Sequence, residues 1–393
     1  MKCFRFRVSE SKGTSSKRRK CLLWPSICIK GTPSQVEPKS ETSRKGSRTQ
    51  SASAASSTLT SQSISFAAST NNSSSFEGYS QKHYKLRFFS FSELQIATSN
   101  FNQENFLGEG GFGRVYKGLI TQRDVNKGDI TLDVAVKRLN TKGLQGYKEW
   151  LSEIKYLGRV DHPNLVKLLG YCAEDSDTGV QLLIVYEFMP NKTLETHLFR
   201  KDLPVLSWQT RLNIALGAAK GLVYLHEALD FKIIYRDLKP SNILLDKDFM
   251  PKLSDFGLAR EGPDPGHTHV STVVAGTMGY AAPEYLQTGH LTLKCDIWSF
   301  GVVLLELLTG RKALDDNLPK NEQYLTDWSK PYINDNRKVK KIMDPRLEGQ
   351  YSLEAAQRIA SLACQCVSVN AKLRPKMREV IEAVKEISEL PHS

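Results

Sequence analysis

A run of eight residues constrains this chain more than any other feature of its sequence. From Tyr235 to Asn242 it reads Tyr-Arg-Asp-Leu-Lys-Pro-Ser-Asn, and Asp255-Phe256-Gly257 begins thirteen residues after that Asn. Asp237 can accept the proton of an attacking hydroxyl, and Lys239 can neutralise charge on a transferred phosphoryl group. Asn242 and Asp255 can bind magnesium ions that bridge phosphates. An isolated Arg-Asp pair is most often a surface ion pair, so this interpretation needs further motifs in the same order.

A glycine-rich segment upstream is the second motif. It fits a loop whose backbone N–H groups approach phosphate oxygens without Cβ atoms in the way. A Rossmann turn would need a helix directly after the glycines, but the residues from Arg114 to Gly118 alternate like a strand and end at a breaker. The motif therefore predicts a hairpin loop over a nucleotide. Its nucleotide-binding candidates are Gly108, Glu109, Gly110, Gly111, Phe112, Gly113, Arg114 and Val115.

A buried lysine and an acid on the next helix form the third motif. Val134–Lys137 reads as a short strand, and its Lys can pair with the α- and β-phosphates. Two acids follow, Glu149 and Glu153. We choose Glu153 as the partner because Ile154 and Leu157 then fall where an apolar face would lie against the core. Glu149, one turn earlier, is expected to be a solvated charge on the helix surface.

Together, these motifs resemble those of the eukaryotic protein kinases over residues of about 101 to 389. Ala282-Pro283-Glu284 matches the A-P-E motif, the segment from Asp296 to Gly301 resembles the helix that follows it, and Arg374 stands where that family places a partner for this Glu. The closer resemblance is to plant receptor-like cytoplasmic kinases, which belong to the interleukin-receptor-associated kinase and Pelle group. It rests on Phe91-Ser92-Glu93-Leu94, on Ile234 to Asn242 and on Gly276 to Tyr285.

The resemblance implies an α+β, two-lobed protein kinase fold, with a small lobe at about 101–186, a large lobe at about 190–389 and ATP between them. The implied reaction transfers the γ-phosphoryl group of Mg-ATP to Ser/Thr hydroxyls of protein substrates, and Lys239, two residues after the base, favours Ser/Thr over Tyr. A pseudokinase scaffold or a tail-driven adaptor are the alternatives. The first is disfavoured because the sequence contains Lys137, Glu153, Asp237, Asn242 and Asp255.

The resemblance also suggests an adenine pocket. Val115 and Ala135 would lie above the base and Leu244 below it. Tyr186 would be the gatekeeper, and the backbone from Glu187 to Met189 would be the hinge that binds the base. A regulatory stack of four side chains is expected behind the site: Leu157, Leu168, Tyr235 and Phe256.

Three hydroxyls between Asp255 and Glu284 are candidate phosphorylation sites. Ser271 and Thr272 are the expected activating positions, whereas Thr277 is expected mainly to support hydroxyl selection beside the base. Arg236 gives the physical reason, because its guanidinium is expected to lack a fixed anion until a phosphate arrives. Arg260 is a candidate second cation.

The net positive charge of the chain lies almost entirely in its first hundred residues. Residues 1–100 carry 16 Lys and Arg against 5 Asp and Glu, and the remainder carries 38 against 37. Residues 1–84 are predicted to be disordered, because 14 of residues 51–75 are Ser or Thr and large apolar groups are few. Residues 390–393 are expected to be a tail.

Two local predictions concern the small lobe. Residues 85–100 should form a short helical lead-in, with Ser92 and Gln95 as a capping box and Phe91 and Ile96 as a hydrophobic staple. The stretch from Thr121 to Ile130 is longer and more polar than a tight hairpin needs, so it is expected to be a flexible loop.

The N-terminal segment suggests attachment to a membrane surface. No apolar run approaches the roughly 20 residues of a membrane-spanning helix. The chain opens Met1-Lys2-Cys3, without the Gly that N-myristoylation requires. An acyl chain on Cys3 and the basic run Lys17–Lys20 would supply the two signals that stable anchoring to an anionic membrane needs. Upstream membrane receptor kinases are the expected partners, at the cytoplasmic face of the plasma membrane.

Other roles for the basic run remain open. It is also a nuclear-import candidate, with cytoplasm or nucleus as secondary locations, and a solvated basic tail is the remaining alternative. No recognition fold accompanies it, so sequence-specific nucleic-acid binding is not expected. The seven cysteines include no C-x-x-C pair, which suits a reducing compartment rather than a zinc site or disulfide framework.

Overall fold

A computed structural model of the protein describes residues 86–390, except 111–112, 125–127, 141–143 and 178. The predicted disorder of residues 1–84, the lipidation candidate Cys3 and the basic run Lys17–Lys20 lie outside the described residues. In the described part, no helix is long and apolar enough to cross a membrane.

Among the described residues, the small lobe contains a six-stranded sheet, and the large lobe contains three two-stranded sheets. The strands are β1 (Arg87–Phe88), β2 (Phe106–Gly110), β3 (Gly113–Asp124), β4 (Gly128–Leu139), β5 (Leu168–Ser176), β6 (Gly179–Glu187), β7 (Ile233–Ile234), β8 (Ile243–Leu245), β9 (Pro251–Leu253), β10 (Arg260–Glu261), β11 (Val270–Ser271) and β12 (His290–Leu291). The sheet order is β1-β5-β6-β4-β3-β2, and only β1 runs parallel to its neighbour. The short pairs are β7 with β10, β8 with β9 and β11 with β12.

Helices make up most of the large lobe. The α-helices are α1 (Phe91–Ala97), α2 (Leu144–Leu157), α3 (Leu194–Phe199), α4 (Trp208–Val223), α5 (Pro283–Thr288), α6 (Leu293–Thr309), α7 (Leu325–Ile333), α8 (Leu353–Cys366) and α9 (Met377–Ser388). Helix α6 is buried along almost its whole length and ends at Gly310, whose φ of +64° is the left-handed cap that glycine adopts without strain. It is therefore the core around which the lobe packs. This arrangement, with the small-lobe sheet, confirms the predicted two-lobed α+β kinase fold.

The pleat of β4 positions the first functional side chain. Val134 and Val136 are fully buried in an apolar cluster that also contains Leu94 of α1, and Ala135 and Lys137 alternate with them. Because successive side chains of a strand point to opposite faces, Lys137 lies on the face away from α1. There it contacts a carboxylate of α2.

The lead-in helix α1 does not begin as expected. Its N-cap is Ser90, whose side chain accepts a hydrogen bond from the Glu93 N–H at 3.1 Å, so the proposed Ser92 capping box is wrong. The staple is also wrong, because Ile96 is 82% exposed. Burial of Phe89 and Leu94 against the sheet sets the frame of this helix.

The expected loop between Thr121 and Ile130 is also wrong for most of its length. Strands β3 and β4 stay paired as far as Asp124 opposite Gly128, with Thr121 opposite Thr131. Thr and Ile favour extended backbone, which accounts for the longer hairpin. Only 125–127 at its tip fall outside the described residues.

Candidate active site

Lys137 lies between two carboxylates at the centre of the cleft. Its Nζ is 2.5 Å from Glu153 Oε1 and 3.2 Å from Asp255 Oδ1. Burial alone lowers the pKa of Lys137, but Asp255 and Glu153 outweigh it and hold that pKa above its ordinary value. Lys137 is therefore a cation despite its burial. The three groups come from β4, α2 and the loop after β9, so this contact joins the lobes.

The two carboxylates differ in their electrostatics. Burial raises the pKa of Glu153, which is fully buried, and Lys137 only partly offsets this. Burial would also raise the pKa of Asp255, but Lys137 and Lys239 outweigh it and leave that pKa below its usual value. Asp255 is thus held as a carboxylate.

The side chain of Tyr186 closes the back of this region. It is 8% exposed, and its hydroxyl donates to Glu153 Oε2. Burial and the neighbouring Glu153 raise its pKa well above the usual value, so the hydroxyl keeps its proton. The proposed gatekeeper therefore contacts the same acid as Lys137.

Glu149 is not the solvated surface charge that its position predicted. It is 1% exposed, and a Cβ added at Gly257 would lie 3.2 Å from its Cβ. The second α2 acid therefore packs against the Gly of the Asp-Phe-Gly segment.

Asp237 lies in a compact cluster with Lys239 and Thr277. Lys239 Nζ donates to Asp237 Oδ2 at 2.7 Å and to Thr277 Oγ1 at 2.8 Å. Thr277 Oγ1 donates in turn to Asp237 Oδ1 at 2.7 Å. All three side chains are buried. A hydroxyl engaged in this way is not accessible for modification, so the structure disfavours Thr277 as a phosphorylation site in this arrangement.

Two residues of the site, Arg236 and Asp255, have an uncommon backbone conformation. Arg236 has a φ of +75° and Asp255 a φ of +61°, and left-handed backbone costs a non-glycine residue about 1–2 kcal/mol. The buried carboxylate of Asp296 accepts the N–H groups of Tyr235 at 2.8 Å and Arg236 at 2.7 Å. Tyr235 is fully buried, and its hydroxyl donates to the Ser254 carbonyl just before Asp255. These contacts over-determine both strained positions.

The regulatory stack is buried throughout. The rings of Tyr235 and Phe256 meet edge to face at 5.1 Å between centroids, and Leu157 and Leu168 belong to the same apolar core. Tyr235 therefore makes both an aromatic contact with Phe256 and a hydrogen bond to the Ser254 carbonyl.

Asn242 and Asp255 are the candidate magnesium ligands. Asn242 Nδ2 donates to the Asp237 carbonyl at 2.9 Å, which orients the amide and leaves its Oδ1 available. An amide oxygen and an ionised carboxylate are ligands that suit Mg²⁺. Among the described residues, no group of three or more His, Cys, Asp and Glu could hold a metal ion. The residues thus fit a site that shares its ion with phosphates and water.

The glycine loop and pocket residues lie on β2, β3, β4, β6 and β8, except that Met189 follows the end of β6. At Gly113, an added Cβ would lie 2.2 Å from the Arg138 carbonyl, so only glycine fits there, whereas Gly108 and Gly110 meet open space. Exposed Glu109 and Arg114 pair at 3.2 Å. Gly111 and Phe112 lie outside the described residues. Val115, Ala135 and Leu244 are half-buried, and Met189 is buried.

The Arg236 guanidinium already has hydrogen-bond partners in this structure. Its side chain is 7% exposed, and Nε donates to the Tyr285 hydroxyl at 2.9 Å while Nη2 donates to that hydroxyl and to the Val273 carbonyl. Arg260 contacts Ser152 at 3.2 Å. Ser271 is exposed and Thr272 is half-buried. The partners of the guanidinium thus include a tyrosine hydroxyl and a backbone carbonyl, and its expected pairing with a phosphate stays a prediction.

Two tyrosines near the site were missed from the sequence. Tyr285 follows Glu284 directly, and Tyr280 donates to Glu306 Oε1 at 2.7 Å. A buried tyrosine hydroxyl almost always finds a polar partner, which was the available signal. Arg374 and Glu284, in contrast, form the expected pair, with two bonds of 2.7 Å.

Comparison with known proteins agrees with this geometry. The family model described as protein kinase domain matches residues 101–384. The chain belongs to the protein kinase family.

Its relatives narrow the class. It is 55% identical to the serine/threonine-protein kinase PCRK1 of Arabidopsis thaliana over 315 residues, or 80% of this chain and 75% of that protein. It is 54% identical to the probable serine/threonine-protein kinase PBL11 of the same plant, covering 79% of this chain and 80% of the relative. Receptor-like cytoplasmic kinase 176 of Oryza sativa subsp. japonica is 53% identical over 77% of each chain. These matches confirm the predicted resemblance, and the chain is a serine/threonine-protein kinase.

Proposed function

We propose that this kinase uses Asp237 as the base and Lys137, Lys239, Asn242 and Asp255 to hold the phosphates and magnesium ions. The cluster in which Asp237 contacts both Lys239 and Thr277 is the observation that carries this proposal. It puts an acceptor, a cation and a neutral hydroxyl within hydrogen-bond reach of one another. A substrate hydroxyl that approached this cluster would meet the acceptor and the cation together.

Each side chain then has a distinct task. Asp237 orients the substrate hydroxyl and accepts its proton, and Lys239 stabilises negative charge that develops on the transferred group. Lys137 aligns the α- and β-phosphates, and Glu153 keeps its ammonium in place. Magnesium, when bound, would supply positive charge that offsets the charge of the phosphates. Asn242 and Asp255 would hold it.

The adenine base would lie between the lobes. Val115 and Ala135 would cover one face and Leu244 the other. The N–H of Glu187 already donates to the Lys167 carbonyl at 3.1 Å, so Glu187 would offer its own carbonyl to the base. Met189 would supply the neighbouring backbone contact.

In the cell, the protein is proposed to relay signals from plasma-membrane receptor kinases in plant immune or developmental signalling. The rice relative is named a receptor-like cytoplasmic kinase, and this name supports the role. Attachment to the cytoplasmic face of the membrane through Cys3 and the basic run is part of the same proposal. A pseudokinase scaffold is disfavoured because the catalytic cluster is complete.

The test is phosphoryl transfer by purified protein. Asp237→Asn should lower transfer from Mg-ATP to a generic protein by several orders of magnitude, because positioning and charge stabilisation supply most of the rate. Binding of a fluorescent ATP analogue should change little. Asp248→Asn, at an exposed turn, is the matched control. Wild-type turnover in Asp237→Asn would refute the assignment of the base.

A further inference from the structure

The hydroxyl of Tyr285 lies where four polar groups meet. The ring is 2% exposed on the short helix α5. The hydroxyl accepts from Arg236 at Nε (2.9 Å) and Nη2, accepts from the Ala275 N–H at 3.0 Å, and lies 3.3 Å from the Val273 carbonyl, to which it donates. One neutral oxygen thus joins the arginine before the base to the segment that carries the candidate phosphorylation sites.

The same segment reaches the reacting atoms within two residues. Ala275 precedes Gly276 and Thr277, and Thr277 contacts Asp237 and Lys239 at 2.7 and 2.8 Å. Gly276 between them has a φ of +131°, a conformation that L side chains rarely adopt. A fixed N–H at Ala275 therefore determines where the chain enters this turn.

The site of regulation is adjacent. Thr272 directly precedes Val273, whose carbonyl contacts Arg236; Ser271 is exposed and Thr272 is half-buried. A phosphate on Thr272 would be attached to the residue next to Val273, whose carbonyl the guanidinium contacts. A dianion is a stronger partner for a guanidinium than a neutral hydroxyl, so it would take Arg236 away from Tyr285.

We propose that Tyr285 is a positioning residue that holds the activation segment in the unphosphorylated enzyme. Its hydroxyl partners Arg236 and fixes Ala275, so that Thr277 meets the base before any phosphate is present. Phosphorylation then moves Arg236 from the hydroxyl to the phosphate and makes the tyrosine dispensable. The inference rests on the roles proposed above for Asp237 and Thr277.

Tyr285→Phe isolates the hydroxyl because it keeps the buried ring. We would prepare each protein phosphatase-treated and autophosphorylated, and measure initial rates with Mg-ATP and dephosphorylated casein, varying each substrate. In the unphosphorylated form, Tyr285→Phe should lower kcat/KM for casein about tenfold, the effect of one hydrogen bond to a charged group, with KM for ATP unchanged. In the phosphorylated form it should match the wild type.

Three controls separate the interpretations. Tyr332→Phe, at the half-buried ring that packs on Trp328, should behave as the wild type in both forms. Arg236→Gln should be impaired in both, because it loses both partners. Ser271→Ala with Thr272→Ala should keep basal activity but lose phosphorylation-dependent stimulation, and adding Tyr285→Phe should lower that basal activity by the same factor of about ten.

The proposal is overturned if unphosphorylated Tyr285→Phe equals the wild type. It is also overturned if the variant loses the same factor in both forms, because a purely structural defect would not depend on phosphate. Thermal unfolding of each variant measures loss of folded protein separately from loss of activity. Asp237→Asn, measured alongside, tests the site itself, so the failure of one assignment is distinguishable from the failure of the other.

Discussion

At the scale of single residues, the buried charges show how the environment changes side-chain chemistry. Glu306 is fully buried; its Oε1 accepts from Tyr280 at 2.7 Å and from the Ala313 N–H at 2.9 Å. Its Oε2 has no hydrogen-bond partner among the described residues. Burial raises the pKa of this carboxyl from 4.5 to about 8.

This pKa predicts how stability depends on pH. Below pH 4.5 the folded and unfolded chains both hold the proton, so the contribution of Glu306 is complete. Between 4.5 and about 8 only the folded chain holds it, and the unfolding free energy falls as pH rises, by up to about 1.4 kcal/mol per pH unit.

Glu306→Gln should remove this slope, because the amide does not titrate. Urea unfolding from pH 5 to 8 would measure the difference between the two proteins. Glu354→Gln, at an exposed i,i+4 pair with Arg358, should leave the wild-type slope unchanged. Parallel profiles for wild type and Glu306→Gln would contradict the raised pKa.

At the scale of elements, helix α1 shows that local signals compete with burial. Its sequence offers two possible frames, one capped by Ser92 and one by Ser90. The second buries Leu94 completely with Phe89 against the sheet, and the first would have required the exposed Ile96 to pack. A cap contributes about 1 kcal/mol, less than the burial of a leucine, so packing decides where the helix begins.

Leu94→Ala should therefore lower the unfolding free energy by about 2–5 kcal/mol, the usual cost of removing a buried leucine. Ile96→Ala, two residues along the same helix, should change it by less than about 0.5 kcal/mol. Chemical denaturation of both variants makes the comparison. Similar losses would mean that the helix packs on the sheet through another face.

At the scale of the whole molecule, net charge differs between two regions of the chain. Residues 101–393 are close to neutral, with 38 Lys and Arg against 37 Asp and Glu, whereas residues 1–100 carry 16 against 5. Phosphoryl transfer depends on local fields in the cleft, and a membrane attracts a basic segment over a Debye length. Phosphoryl transfer and the proposed membrane attachment should therefore be separable by mutation.

Cys3→Ser combined with neutral replacements at Lys17–Lys20 should move the protein from the membrane to the soluble fraction, because either anchoring signal alone is marginal. The rate at which this variant phosphorylates casein should be unchanged. Cys21→Ser is the matched control. A membrane fraction that stays at the wild-type level would exclude this mode of attachment, and loss of nuclear accumulation alone would favour the import interpretation.

Local sequence patterns predicted the residues that are proposed to carry the chemistry and the order in which they occur. The glycine hairpin, Lys137, Asp237, Asn242 and Asp255 are readable because each motif has a fixed local spacing that its chemistry requires. The alternation after Gly113 excluded a dinucleotide-binding turn for the same reason. The choice of Glu153 also followed from a local pattern, the period of its helix.

Contacts between groups that lie far apart in the sequence can be seen only in the folded structure. Arg236 and Tyr285 are 49 residues apart, so no local spacing predicts that a neutral hydroxyl occupies this guanidinium. Burial of Glu149 against Gly257, and the pKa of Glu306, arise in the same way. Desolvation and hydrogen-bond partners depend on neighbours that only packing brings together, and these neighbours determine the charge and the accessibility of each functional group.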